Sequence, residues 1–148
     1  VKLVIQRVKH ANVVIEKKEY SSINTGYMIL VGSEEGDSQA DVDYLAHKVA
    51  NLRIFEDEQG KMNLNIKQVN GSILSVSQFT LLADMTHGNR PTFKKAGDPV
   101  TAKKMYEAFN QALLAEGLAV KTGVFGADMD INLENHGPAT FELNHREQ

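Results

Sequence analysis

Cysteine is absent from this chain of 148 residues. That excludes disulfides, a thiolate nucleophile and cysteine-ligated zinc or iron–sulfur centres, and it suits a reducing compartment. Charge of one sign is scarce too: 16 Lys and Arg face 19 Asp and Glu, which leaves −3 at pH 7. The basic excess of a dedicated nucleic-acid domain is missing, so contact with a polyanion has to come from a local patch. No apolar run is long enough to span a bilayer. The opening Val1-Lys2-Leu3-Val4-Ile5 lacks the apolar core and cleavage site of a signal peptide. The five histidines never fall at paired-ligand spacing, and Glu56-Asp57-Glu58 lacks the alternating ligands of a calcium loop. No metal or cofactor is therefore expected. The expectation is a cytoplasmic protein without a membrane segment, one domain over residues 1–148 with its own core.

What is present reads as short strands and two helices. Leu3 to Val8 opens as a strand; Asn12–Ile15 and Tyr20–Ile23 flank a hairpin with no strong turn signature. Tyr27 to Val31 is a continuous apolar run, the pattern of a strand buried on both faces. Ser38 with Asp41 starts a helix whose apolar positions Val42, Leu45, Val49 and Leu52 recur at helical spacing. Arg53 to Phe55 and Met62 to Val69 read as extended. Asp98-Pro99 is an N-cap followed by a first-turn proline, and the helix it starts stops at Gly117. Strand signals fill the last third: Ala119 to Phe125, Met129 to Leu133 and Phe141 to Leu143, with Gly137-Pro138 as a turn between them. Pro138 cannot donate to a ladder and belongs at an edge or at a strand start. The tail, Asn144 to Gln148, reads as frayed. The fold class is α+β, a mixed, largely antiparallel, barrel-like sheet with two main helices.

The candidate site begins at the end of the apolar run Ile73 to Val76. Ser77, Gln78 and Thr80 bring three hydrogen-bonding side chains within four residues. If the strand continues, Gln78 and Thr80 share one face. The cluster is either a satisfied structural network or a site. Arg7 sits inside the first strand, where its head reaches water if the strand is an edge. In the loop from Asp84 to Gly97, Arg90, Lys94 and Lys95 place three cations within six residues. They are a solvated surface or a phosphate contact.

Two motifs together are far more specific than either alone. Ser77-Gln78-Phe79-Thr80 and Asn135-x-Gly137-Pro138-x-Thr140 resemble the two signatures of the D-aminoacyl-tRNA deacylase family of the DTD type. The resemblance extends to Lys2–Val8, Asn51–Phe55, Lys61-Met62-Asn63, Arg90–Phe93 and Thr122–Met129, nearly the whole chain. Departures are small: Val1 stands where methionine is expected, the hairpin lacks a glycine turn, and Thr92 replaces the more usual serine.

The resemblance implies a hydrolase that cleaves the ester between a D-amino acid and the terminal adenosine of tRNA. This is chiral proofreading in translation, and the family also removes glycine mischarged on tRNA for alanine. It implies a homodimer with sites at the subunit interface, where Gly137-Pro138 of one copy reaches the pocket around Ser77, Gln78, Phe79 and Thr80 of the other. It implies a cis Gly-Pro bond that turns carbonyls toward the substrate's ammonium. Arg7 would orient that turn, and Ala96, Phe125 and Met129 would line the adenosine pocket. Backbone N–H groups near Phe79 and Thr80 would hold the developing oxyanion, with the ribose 2′-hydroxyl helping to activate water. Thr80 would position rather than attack, since no base stands near it in sequence. A binding module without hydrolysis, or a general esterase using Thr80, are the competing readings.

Overall fold

The computed structural model describes residues 1–146. Its central element is one long strand, β1 (Lys2–Ile15). The sequence pattern divides this stretch in two, around the polar Lys9-His10. Instead the strand runs through, because its partners change along its length. Residues 2–8 pair with β3 (Gly26–Gly32), residues 11–15 pair with β2 (Lys18–Ile23), and its other side pairs with β8 (Asp130–Asn144) along most of its length. All three pairings are antiparallel. The β1–β2 turn carries Glu16 and Lys17 at φ 50° and 65°. Two successive positive φ values form a tight hairpin turn of the kind that glycine or asparagine usually supplies. Here Glu16 and Lys17 adopt it, so the turn forms without its usual sequence signature.

From β3 the sheet continues in parallel to β6 (Ser72–Ser77) and then β7 (Ala119–Thr122). The order is β2-β1-β3-β6-β7, with β8 on the outer side of β1. This is the expected mixed, barrel-like sheet. Strand alternation splits the apolar residues between two cores. Leu3, Ile5, Tyr27, Ile29, Val31 and Ile73 face the helices, while Val8, Met28, Leu74 and Val76 pack on the other side with Val13 and Ile23.

Two α-helices, among the described residues, cover the first core. In α1 (Gln39–Asn51) the Ser38–Asp41 capping box closes in both directions. In α2 (Pro99–Ala115) the Asp98 carboxylate accepts from the N–H groups of Val100 and Thr101, at 3.1 and 3.0 Å. The Thr101 bonds, then the Val100 N–H, hold that carboxyl below the usual range. The buried Tyr106 of α2 donates its hydroxyl to the Ser75 carbonyl at 2.6 Å, fixing the helix to β6 two residues before Ser77.

Several expectations need correcting. Met62 to Val69 is strand only over β5 (Met62–Leu64), paired with β4 (Phe55–Glu56); the next residues turn, because Asn65 and Gln68 bond side chain to backbone reciprocally. β7 ends at Thr122, short of Phe125. The two strands expected around Gly137-Pro138 are one strand, β8, whose register with β1 shifts twice there. Among the described residues β8 pairs with β1 alone, so of the two places expected for Pro138 it takes the edge strand, within the strand and not at its start. The tail is not frayed as far as it is described: His145 stacks on Tyr44 at 3.9 Å and its Nδ1 lies 3.1 Å from Asp41, and Arg146 pairs with Glu34. Glu147 and Gln148 lie outside the described residues.

Close packing of β3 on β6 depends on Gly26. A Cβ there would lie 1.7 Å from the Ser72 carbonyl oxygen. Gly26→Ala should lower stability by about 1–3 kcal/mol through overpacking, read as a lower urea midpoint. An unchanged midpoint would mean that the strands part without cost.

Candidate functional site

The first signature is built where a strand stops. Ser77 is the last residue of β6 and pairs with Val31 of β3. Gln78 adds one more ladder bond, its N–H donating to the Val31 carbonyl at 2.8 Å. The chain then bends into a 3-10 turn, Phe79–Leu82. Leu81 N–H bonds back to Gln78, and Ala83 N–H to Thr80. The N–H groups of Phe79 and Thr80 begin this turn and have no partner among the described residues, as the first donors of any helix lack one. The bend also changes the side-chain relation. Gln78 and Thr80 meet because the turn folds them together, with Gln78 Nε2 donating to Thr80 Oγ1 at 2.6 Å. Gly32 allows this: a Cβ there would meet Leu82 at 2.5 Å.

The second signature is a self-bonded bulge in β8. Asn135 Oδ1 accepts from Ala139 N–H at 2.8 Å, and its Nδ2 donates to Thr140 Oγ1 at 2.9 Å. One asparagine thus spans the His136-Gly137-Pro138 insertion. The Gly137-Pro138 bond is cis.

Arg7 secures that bulge from β1. Its Nε donates to the His136 carbonyl at 3.1 Å, and one terminal nitrogen donates to the Ile54 carbonyl at 2.6 Å. The other terminal nitrogen lies 3.8 Å from the half-exposed Glu56 carboxylate. The side chain is 3% exposed, so the edge-strand reading with its head in water is overturned. The reason is topological: β1 is interior, with β8 on one side and β3 on the other. Gly137, at φ 125°, is matched to this contact, since a Cβ there would lie 2.7 Å from the guanidinium. Burial pushes the Tyr27 hydroxyl well above its ordinary value, with Arg7 opposing the shift.

Of the three residues assigned to the adenosine pocket, Phe125 and Met129 share the loop after β7. Phe125 is half-buried, 6.2 Å from the Tyr106 ring, between a groove of 390 Å³ lined by Tyr106, Asn110 and Thr122 and a shallower one of 420 Å³ lined by Pro99, Val100 and Lys103. Met129 Sδ accepts from Val124 N–H at 3.4 Å. Ala96 stands in a bridge with Glu34, at the end of the 84–97 loop. Arg90, Lys94 and Lys95 are all exposed.

Within one chain the two signatures do not meet. Ser77 aligns with Val31 and Leu3, while Arg7 aligns with Tyr27 and Ile73. That is four residues along the strands, about 13 Å, and three strand spacings across, about 14 Å. Sequence reasoning missed the Ile54 carbonyl and Glu56. The carbonyl has no sequence signal, and Glu56 reads only as part of an acidic run that lacks calcium-loop spacing.

The chain has relatives. Residues 4–144 match the D-Tyr-tRNA(Tyr) deacylase family model. A D-aminoacyl-tRNA deacylase of Bacillus pumilus (strain SAFR-032) is 52% identical over 146 residues, 99% of each chain. One of Limosilactobacillus reuteri (strain DSM 20016) is 52% identical over 140 residues, 95% of this chain and 97% of that one. Among solved structures, the c-Myc DNA unwinding element binding protein superposes with a TM-score of 0.92 at 36% identity, covering 99% of this chain and 100% of that one. A probable eukaryotic D-amino acid tRNA deacylase shares the fold, with a TM-score of 0.83 at 15% identity over 96% of this chain and 97% of that one. With the family model and both curated relatives spanning nearly its full length, this chain belongs to the D-Tyr-tRNA(Tyr) deacylase family.

Proposed function

We propose that this hydrolase, which cleaves the ester of D-aminoacyl-tRNA, builds each active site from two copies of a single-domain chain. The observation that carries the reading is the separation of the two signatures. The Gly137-Pro138 bulge is exposed and lies too far along and across the sheet to serve the Ser77–Thr80 turn of its own chain. A second copy brings the two together.

On this reading the free N–H groups of Phe79 and Thr80 receive the oxyanion that develops on the ester carbonyl. Water adds to the carbonyl carbon, the bond to the ribose oxygen breaks, and that oxygen takes the proton. The products are a free D-amino acid and tRNA. The substrate's own 2′-hydroxyl assists the water. Thr80 is a positioning group. Its oxygen accepts from an amide nitrogen of Gln78, which has no basicity with which to take a proton. Ala96, Phe125 and Met129 receive the terminal adenosine. The partner's Gly137-Pro138 backbone, held by Arg7, closes the space an L side chain needs. Glycine has no side chain to exclude and is also cleaved, including from tRNA for alanine. The enzyme acts in the cytoplasm, where tRNA is charged.

Incubation with D-tyrosyl-tRNA, L-tyrosyl-tRNA, glycyl-tRNA and a simple aryl ester tests the reading. Turnover of the D- and glycyl-substrates alone is expected, in a dimer by light scattering, with activity disappearing on dilution to monomer. A fully active monomer would sink the shared site.

Thr80→Ala should retain measurable turnover, since losing one donor of an oxyanion site costs about 100- to 1000-fold and this change leaves the N–H in place. A folded Thr80→Ala protein at the uncatalysed rate would make the hydroxyl essential.

Arg7→Ala should free the bulge, so that L-tyrosyl-tRNA is cleaved measurably while D-activity falls only in part. If the folded variant rejects L-substrate as well as the parent, the clamp has no part in discrimination.

A further inference from the structure

The Phe79 and Phe93 rings meet edge to face at 4.9 Å, yet remain 57% and 36% exposed. Neither ring is used by the chemistry above, which takes only the Phe79 backbone. Their position is well held. Phe93 follows directly on a loop closed by two bonds between Asp84 and Thr92, at 2.8 and 2.9 Å. Beyond it, Ala96 N–H bonds to the Phe93 carbonyl and Glu35 N–H to the Lys95 carbonyl. The same loop exposes Arg90, Lys94 and Lys95. Against these three cations it has one carboxylate, Asp84, already occupied by the Thr86 hydroxyl and N–H at 2.6 and 3.0 Å. Those Thr86 bonds, aided by Lys95 and Lys94, keep that carboxyl below its usual range and therefore ionised. An exposed aromatic pair beside three cations that share one carboxylate, in a chain of net charge −3, is the combination that binds single-stranded nucleic acid.

We propose that the Phe79–Phe93 pair is a stacking platform for a nucleobase in the single-stranded 3′ end of the substrate, on the 5′ side of the terminal adenosine. Arg90, Lys94 and Lys95 receive the adjoining phosphates. The inference rests on placing the ester at the Phe79 and Thr80 N–H groups, which brings the preceding nucleotides of the strand past this ledge. A D-amino acid side chain lying there would leave the excess of three cations over the one Asp84 carboxylate without a counterpart. Base stacking on an aromatic ring is sequence-tolerant, as an enzyme acting on many tRNAs requires.

The test compares D-tyrosyl-tRNA with the D-tyrosyl ester of adenosine alone, which lacks every upstream nucleotide. Phe93→Ala should raise KM for the tRNA substrate by about ten-fold, the scale of a single base stack, and leave the adenosine ester unchanged within about two-fold. Phe93→Leu keeps apolar contact with Phe79 and carries the same test if the alanine variant unfolds. Alanine at Arg90, Lys94 and Lys95 together should flatten the dependence of log K on log salt by roughly 0.7 for each phosphate that is no longer neutralised. Three results overturn the platform: an equal rise in KM on both substrates, no rise on either, or a rise that tracks dissociation to monomer. An unchanged salt slope overturns the phosphate assignment. Failure of the parent enzyme on D-tyrosyl-tRNA would instead overturn the functional reading itself.

Discussion

A buried guanidinium with two backbone carbonyls in its grip is the constraint on which this structure turns. Arg7 holds His136 on the outer strand and Ile54 at the end of the α1–β4 connection. Two segments 82 residues apart in sequence are thereby fastened to one side chain of β1. Each bond is charge-assisted and worth about 1.5–3 kcal/mol net. The third contact counts for less, because the Glu56 carboxylate is half exposed and 3.8 Å away. The carbonyl bonds therefore decide where the guanidinium lies. Lysine would keep the charge but not the planar fork that reaches two acceptors at once.

The rest of the site geometry follows from how β1 is paired. With β8 on one side and β3 on the other, Arg7 is enclosed and its bulge faces outward on the edge strand. The parallel step from β3 to β6 carries the Ser77 end away in the opposite direction along the sheet. The tight approach at Gly26 and the Tyr106–Ser75 bond hold β6 against β3 and α2. The free N–H groups at Phe79 and Thr80 therefore sit on a rigid strand end, not on a loose loop. Pre-organised donors are what an oxyanion site needs, since donors already aligned cost no reorganisation as charge develops.

Much of this was legible in the chain. The capping residues Ser38 and Asp98 and the apolar run Tyr27–Val31 carry local signals strong enough to fix both helix starts and the central strand. Boundaries were misread where tertiary pairing overrides local pattern. Lys9-His10 looks like a break but is carried through by β8, and Asn135–Thr140 looks like a hairpin turn but is a bulge in one strand. The two site motifs stood out because polar residues crowd a strand end and because Gly-Pro interrupts a strand pattern. The fate of Arg7 could not be read from periodicity, since an arginine in a strand looks the same at an edge or inside. Its partners are backbone carbonyls, which no residue type announces.

That last point explains the character of both signatures. In Ser77–Thr80 and Asn135–Thr140 the polar side chains are spent on local bonds: Asn135 spans the bulge through the Ala139 N–H and the Thr140 hydroxyl, Gln78 engages the Thr80 hydroxyl, and Gly137 leaves room for the guanidinium. The groups left free are N–H donors and a backbone edge. An activated ester needs little more than a place for its oxyanion and access for water, so a site of this kind can act without an acid–base pair of side chains. On the proposed two-copy site its discrimination would be steric, set by how little the bulge can move, with side-chain anchoring in place of side-chain chemistry. A change at an anchoring residue such as Arg7 would therefore register first in which substrate is accepted, and only afterwards in how fast the accepted one is cleaved.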